Sequence, residues 1–173
     1  ATKNNIVLIF DECTTGFRQT FGGIYKMFNV KPDILVLGKA LGNGYAITAV
    51  LGSNSIMDKE KETFISSTFW TESIGPTAAL KTLELMERQK SWIKITKIGR
   101  YVIKNWKRIA KKNSIKIQIK GIPALCSFEF KSKNNNLYKN LITQEMLKKG
   151  FLASNIIYIS TTHKISILKK YFK

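Results

Sequence analysis

Two stretches decide the fold: Ile6-Val7-Leu8-Ile9-Phe10, followed at once by Asp11-Glu12, and Ile34-Leu35-Val36-Leu37, followed by Gly38-Lys39. Each is a short, continuous apolar run rich in β-branched residues and closed by polar residues. A strand covered on both faces of a parallel sheet reads this way, because neither face alternates with water. The first run thus delivers Asp11 at its carboxyl end and the second delivers Lys39. Between them Pro32-Asp33 punctuates the chain, and beyond them Gly42-Asn43-Gly44 turns it into a third strand-like segment, Ala46 to Leu51, closed by Gly52. Ligands of open α/β sheets bind outside the carboxyl ends of the strands. On residues alone, Asp11 and Lys39 are either an ion pair at a sheet edge or a two-group site for a charged ligand.

Downstream, Gly75-Pro76 opens a helix whose apolar positions Ala79, Leu80, Leu83 and Met86 carry it to about Gln89. A second helix is expected from Ser91 to about Lys112, with Ile95, Ile98, Val102, Trp106 and Ile109 as its apolar stripe. From Ile115 the texture changes. Short alternating segments, Ile115 to Ile119 and Ala124 to Phe130, flank Gly121-Ile122-Pro123. A helix from about Leu137 to Lys149 stops at Gly150, and a last strand, Ile156 to Ser160, leads to a lysine-capped helix start. The expected organisation is α/β: residues 1–89 as part of a large domain, and residues 90–173 as a small α+β domain.

The chain has 173 residues, 44% of them hydrophobic, so it can bury a core and is not a disordered polymer. Its formal net charge is +18, and of 29 basic residues only Arg18, Arg88, Arg100 and Arg108 are arginine. Dispersed lysine without a groove-reading motif describes a solvated surface better than a nucleic-acid interface, and no nucleic-acid partner is expected. The longest apolar runs fall far short of the roughly 20 residues of a membrane span. Cys13 and Cys126 lie far apart without metal-ligand spacing, and His163 is the sole histidine, so no metal site is expected and a reduced, cytoplasmic setting is. The opening Ala1-Thr2-Lys3-Asn4-Asn5 runs directly into a strand, which points to a piece of a longer chain.

Lysine amines attack carbonyls to form Schiff bases, and pyridoxal phosphate is their common partner. Its ring nitrogen must remain protonated to act as an electron sink, which a neighbouring carboxylate enforces. Lys39 and Asp11 match the two ends of such a ring. The ordered motifs Asp11-Glu12-Cys13-Thr14-Thr15-Gly16-Phe17-Arg18, Lys31-Pro32-Asp33 and Leu37-Gly38-Lys39-Ala40-Leu41-Gly42-Asn43-Gly44-Tyr45 resemble the class III pyridoxal-phosphate aminotransferases, most of all their glutamate-1-semialdehyde aminomutase branch. Weaker similarity continues through Gly75-Pro76, Gly150-Phe151-Leu152-Ala153-Ser154 and Tyr158 to His163.

The resemblance implies a fold-type I transferase, a homodimer acting on a small-molecule amino donor and a carbonyl acceptor. Lys39 would form the Schiff base and shuttle the proton, and Asp11 would pair with the pyridine nitrogen. Cys13 would stand against the cofactor ring, where the family often has valine, as a packed thiol and not a nucleophile. Thr71, or by the alternative alignment of Ser67-Thr68-Phe69, Thr68, would contact the cofactor phosphate of the neighbouring subunit. Phe69-Trp70-Thr71-Glu72-Ser73-Ile74 departs from the family's glycine-asparagine-proline pattern; Glu72 reads as a solvated loop carboxylate, with substrate contact as the alternative. Glu12 and Arg18 read as structural, His163 as a surface or packing residue, and Gly38, Gly42 and Gly44 as turns around the lysine. The family's first half, with the main phosphate cup and the stacking aromatic, has no counterpart here. Weak or absent catalysis by this chain alone is therefore expected. The remaining alternatives are a non-catalytic binding or assembly member of the same fold and, more distantly, a basic nucleic-acid-binding domain.

Overall fold

The computed structural model describes the backbone of Ala1–Lys173 and every side chain except that of Thr2. The chain packs as two units, Ala1–Trp92 and Ile93–Lys173.

In the first unit, strands β1 (Ile9–Asp11), β2 (Ile34–Leu37) and β3 (Ala49–Gly52) form one sheet in that order. β1 and β2 run parallel, with Ile9 opposite Ile34, Phe10 opposite Leu35 and Asp11 opposite Val36. β3 returns antiparallel to β2, with Leu37 opposite Ala49. The sheet is therefore mixed, where the two apolar runs alone read as parallel. β1 is also shorter than Ile6 to Phe10 and is not covered on both faces. It is an edge strand, and Ile9 keeps 56% of its surface in contact with solvent.

A short helix α1 (Asn54–Met57) follows β3, and α2 (Ile74–Gln89) covers the sheet. Phe17, Leu37, Leu41 and Ala79 are buried together, with Leu35, Ile47, Leu83 and Met86 packed against them. Leu80 departs from the expected stripe: it stands one position round from Ala79 and is exposed. Lys90, in the left-handed region at φ 47°, ends α2, and α3 (Ser91–Lys112) starts immediately after it.

The second unit is an antiparallel sheet of β4 (Ile117–Lys120), β5 (Leu125–Phe130) and β6 (Ile156–Tyr158), with β5 central. The stripe Ile95, Ile98, Val102 and Trp106 of α3 packs on Ala124, Cys126, Phe128, Ile159 and Leu168; Leu168 comes from the terminal helix α5 (Ile165–Tyr171). Ile109 is only partly buried. Helix α4 (Asn135–Lys148) joins β5 to β6 and buries none of its residues fully. Gly99 marks the closest approach: a Cβ there would stand 1.8 Å from the Pro123 carbonyl oxygen, so α3 touches the Gly121-Ile122-Pro123 loop backbone to backbone.

Cys126 lies at the centre of this core, and burial pushes its thiol up to about 11. A thiol whose folded pKa exceeds its unfolded value gives stability that is complete below the unfolded pKa and is lost as pH rises towards the folded one. Between about pH 9 and 11 the protein is expected to lose up to roughly 2 kcal/mol through this group. Urea denaturation across that range checks it, with Cys126→Ala showing a shallower alkaline decline than the parent.

Candidate active site

Parallel pairing of β1 with β2 sets two carboxyl ends side by side, about 4.8 Å apart by ordinary strand spacing. Asp11 is the last residue of β1, and Lys39 follows β2 by two positions. Both are exposed, and neither enters an ion pair among the described residues. One carboxylate and one amine face the same edge without neutralising each other.

The loop after β1 holds this arrangement. Glu12 is 3% exposed, and its carboxylate accepts hydrogen bonds from the backbone N–H of Ile24, from that of Tyr25 at 3.0 Å and from the Thr15 hydroxyl at 3.4 Å. A carboxylate that satisfies two backbone donors here ties the loop to the Ile24–Met27 turn, so Glu12 is structural, as its sequence context implied. Asp11 turns the other way, and its Oδ1 accepts the Cys13 N–H at 3.0 Å.

Cys13 sits between the two charged groups. Burial raises its thiol above the ordinary value, the hydrogen bond to Asp11 and the charge of Asp11 raise it further, and Lys39 opposes them. The thiol therefore stays protonated at neutral pH and acts as packing. Its Sγ lies 3.2 Å from where a Cβ on residue 38 would stand, with Thr48 Cγ2 at 3.3 Å, so a side chain at position 38 would press on both neighbours.

Lys39 itself adopts φ 41°, in the left-handed region that non-glycine residues rarely occupy. Such positions cost about 1–3 kcal/mol and cluster at functional sites. Its Nζ donates a hydrogen bond to the Thr14 hydroxyl. Thr14 had no assigned role in the sequence. The available signal was its place one residue beyond Cys13, on the loop that faces the end of β2.

Thr68 and Thr71 lie on the exposed segment before α2, and neither hydroxyl has a hydrogen-bond partner among the described residues. The structure does not join them to Asp11 or Lys39 by a hydrogen bond. Glu72 is not a free loop carboxylate. Its Oε1 accepts the Ile74 N–H at 2.7 Å and its Oε2 the Gly75 N–H at 3.4 Å, satisfying the start of α2 where Ser73 makes no side-chain cap. His163 closes a local turn, its Nδ1 accepting the Ser160 N–H at 2.9 Å. Among the described residues no cluster of His, Cys, Asp and Glu could hold a metal ion, and no helix is long and apolar enough to cross a membrane.

The family description Aminotransferase class-III matches residues 1–169, and the chain belongs to that family. It is 36% identical over 145 residues to 3-aminobutyryl-CoA aminotransferase of Cloacimonas acidaminovorans, covering 83% of this chain and 35% of that protein. It is 30% identical over 152 residues to glutamate-1-semialdehyde 2,1-aminomutase of Methanocaldococcus jannaschii, covering 84% of this chain and 35% of that protein. The chain thus spans about a third of the length of these curated relatives.

Among solved structures, FumI of Sphingopyxis sp. MTA144, in its PLP internal aldimine form, superposes with a TM-score of 0.91 at 20% identity, covering 99% of this chain and 42% of that one. Ornithine aminotransferase of Plasmodium yoelii gives 0.82 at 26% identity, covering 99% and 47%. The fold is that of the transaminases: part of a large α/β domain followed by a smaller α+β portion.

Exchange of the buried carboxylate, Glu12→Gln, places an amide donor against a backbone donor. It is expected to cost about 1–3 kcal/mol of stability. The urea midpoint reads this loss, and hydrogen exchange at the Ile24 and Tyr25 amides should accelerate with it.

Proposed function

We propose that the complete protein transfers amino groups with pyridoxal phosphate, and that this chain supplies the lysine and the carboxylate on which the cofactor depends. The observation that carries this proposal is the unneutralised pair Asp11 and Lys39 at the ends of adjoining parallel strands, with Gly38 leaving no side chain between Cys13 and Thr48. Membership of the class III aminotransferases supports it.

The donor set fits the cofactor: an exposed amine for its aldehyde, an exposed carboxylate for its ring nitrogen, and a small protonated thiol for its ring face. When bound, pyridoxal phosphate supplies the electron sink that stabilises a carbanion beside the transferred nitrogen. Lys39 would hold the cofactor through its amine and, when free, would move the proton at the substrate carbon. Asp11 would favour the protonated form of the ring nitrogen. Cys13 would pack against the ring as a protonated thiol. Thr71, or Thr68 in its place, would contact the phosphate in a homodimer.

The relatives include both an aminotransferase and an aminomutase. The first moves nitrogen between molecules and the second within one, and either reading would use Lys39 and Asp11. Labelled nitrogen separates them: exchange of the label into a second molecule marks a transferase, and its retention marks a mutase.

Borohydride reduction of the complete protein with pyridoxal phosphate, followed by digestion and mass spectrometry, is expected to place the cofactor on Lys39, with the label lost in Lys39→Ala. Asp11→Asn should keep the label while slowing turnover by about 100-fold or more, in the range of a lost acid–base contribution. Scattered labelling of many lysines, unchanged in Lys39→Ala, overturns the proposal.

A further inference from the structure

The second unit contains a cavity that the amino-transfer chemistry does not use. It has a volume of about 650 Å³ and lies among α3, the β4–β5 pair, α4 and α5, with Trp106, Phe128, Phe130, Leu141, Met146 and Phe172 in its wall. That size falls within the roughly 300–1,000 Å³ of small-molecule sites. Along its α4 side, Tyr138 packs its ring on Phe130 at 5.3 Å and Ile142 packs against the core, while Leu141 remains half exposed. Its one lining carboxylate, Glu145, is already engaged by Lys148 at 2.6 Å.

The cavity wall at Lys116 and Lys131 carries the opposite chemistry. A shallower depression of about 390 Å³ shares Ala110, Ile115, Lys116, Ile117 and Lys131 with the cavity and adds Lys107 and Lys111. Lys116 and Lys131 face each other one step beyond the Ile117–Phe130 pair, where the Lys131 N–H donates to the Lys116 carbonyl at 3.0 Å. Like charges opposite each other across a strand pair destabilise it. Lys107 and Lys111 repeat the juxtaposition four residues apart on α3, again with an unfavourable sign. None of the four enters an ion pair among the described residues, and the nearby Glu129 is taken by Lys120 at 2.7 Å.

An aromatic-walled cavity lined by Lys116 and Lys131 and adjoined by a depression that adds Lys107 and Lys111 is complementary to a molecule with an apolar body and an anionic head. We propose that this unit binds a single-chain amphipathic carboxylate of the fatty-acid type, its hydrocarbon among Trp106, Phe128, Phe130 and Leu141 and its carboxylate between Lys116 and Lys131. The site is independent of Asp11 and Lys39. An anion held beside Lys116 and Lys131 lowers their mutual repulsion further than solvent screening does, so the charged head contributes affinity as well as orientation.

Isothermal titration calorimetry of the complete protein with laurate tests this, below the concentration at which laurate forms micelles. Saturable binding is expected. It should weaken at least tenfold for the uncharged analogue dodecanol and for the double variant Lys116→Glu/Lys131→Glu. Leu141→Asp, a change at a half-exposed position, should weaken it similarly by placing a carboxylate in the apolar wall. The second charge variant, Lys107→Glu/Lys111→Glu, lies on an exposed helix face and keeps the test valid should the strand variant unfold. Circular dichroism confirms the fold of each. The proposal is overturned by no saturable heat with laurate, by equal binding of laurate and dodecanol, by affinity unmoved in the folded charge variants, or by attachment to vesicles of anionic lipid without binding of free laurate.

Discussion

The parallel pairing of β1 with β2 is the constraint on which the candidate active site depends. Its register, Asp11 opposite Val36, fixes where the first strand stops relative to the second, and the chain then diverges into two loops with different tasks. One loop is clamped by the Glu12 carboxylate; the other turns sharply through Gly38 and Lys39. A shift of one residue in this register would carry Asp11 to the opposite face of the sheet. The pairing therefore sets the chemistry as well as the fold, and the clamp at Glu12 keeps Cys13 and Thr14 beside the lysine whether or not a ligand is there.

The two units illustrate different ways of building a core from similar material. In the second, the amphipathic helix α3 and a three-stranded sheet bury Val102, Ala124, Cys126 and Ile159 completely. In the first, a three-stranded sheet with exposed Ile9, Val50 and Leu51 is covered through a small cluster at Phe17, Leu37, Leu41 and Ala79. Surface ion pairs such as Lys81 with Glu84 add little to either, because exposed pairs contribute only about 0–1 kcal/mol. Packing and the backbone donors satisfied by Glu12 and Glu72 matter more.

Much of this was legible in the residues. The strand ends that carry Asp11 and Lys39 were visible because a short apolar run stops abruptly at a charged residue, and α3 was visible because its apolar positions recur at helical spacing. The antiparallel return of β3 was not, since four apolar residues do not encode strand direction. Nor was the exposure of Ile9, which depends on which strands flank it and not on its own run. Glu72 as the cap of α2 escaped because the usual capping position is Ser73, and its carboxylate reaches back from one residue earlier. Thr14 escaped because its partner is distant in the chain. The cavity escaped for a similar reason: it is made by the distance at which α4 stands from the sheet, and Leu137, Leu141 and Leu147 do not announce that distance.

The left-handed backbone at Lys39 bears on how this sequence drifts over evolutionary time. A chain selected for stability alone would exchange lysine at such a position for glycine or asparagine, which occupy it with less strain. Lysine at this turn therefore carries a backbone cost that glycine would not, as Lys90 does at the end of α2. Exchange of Lys39 for glycine would relieve that cost while removing the amine, so stability and the amine's chemistry pull this one position in opposite directions.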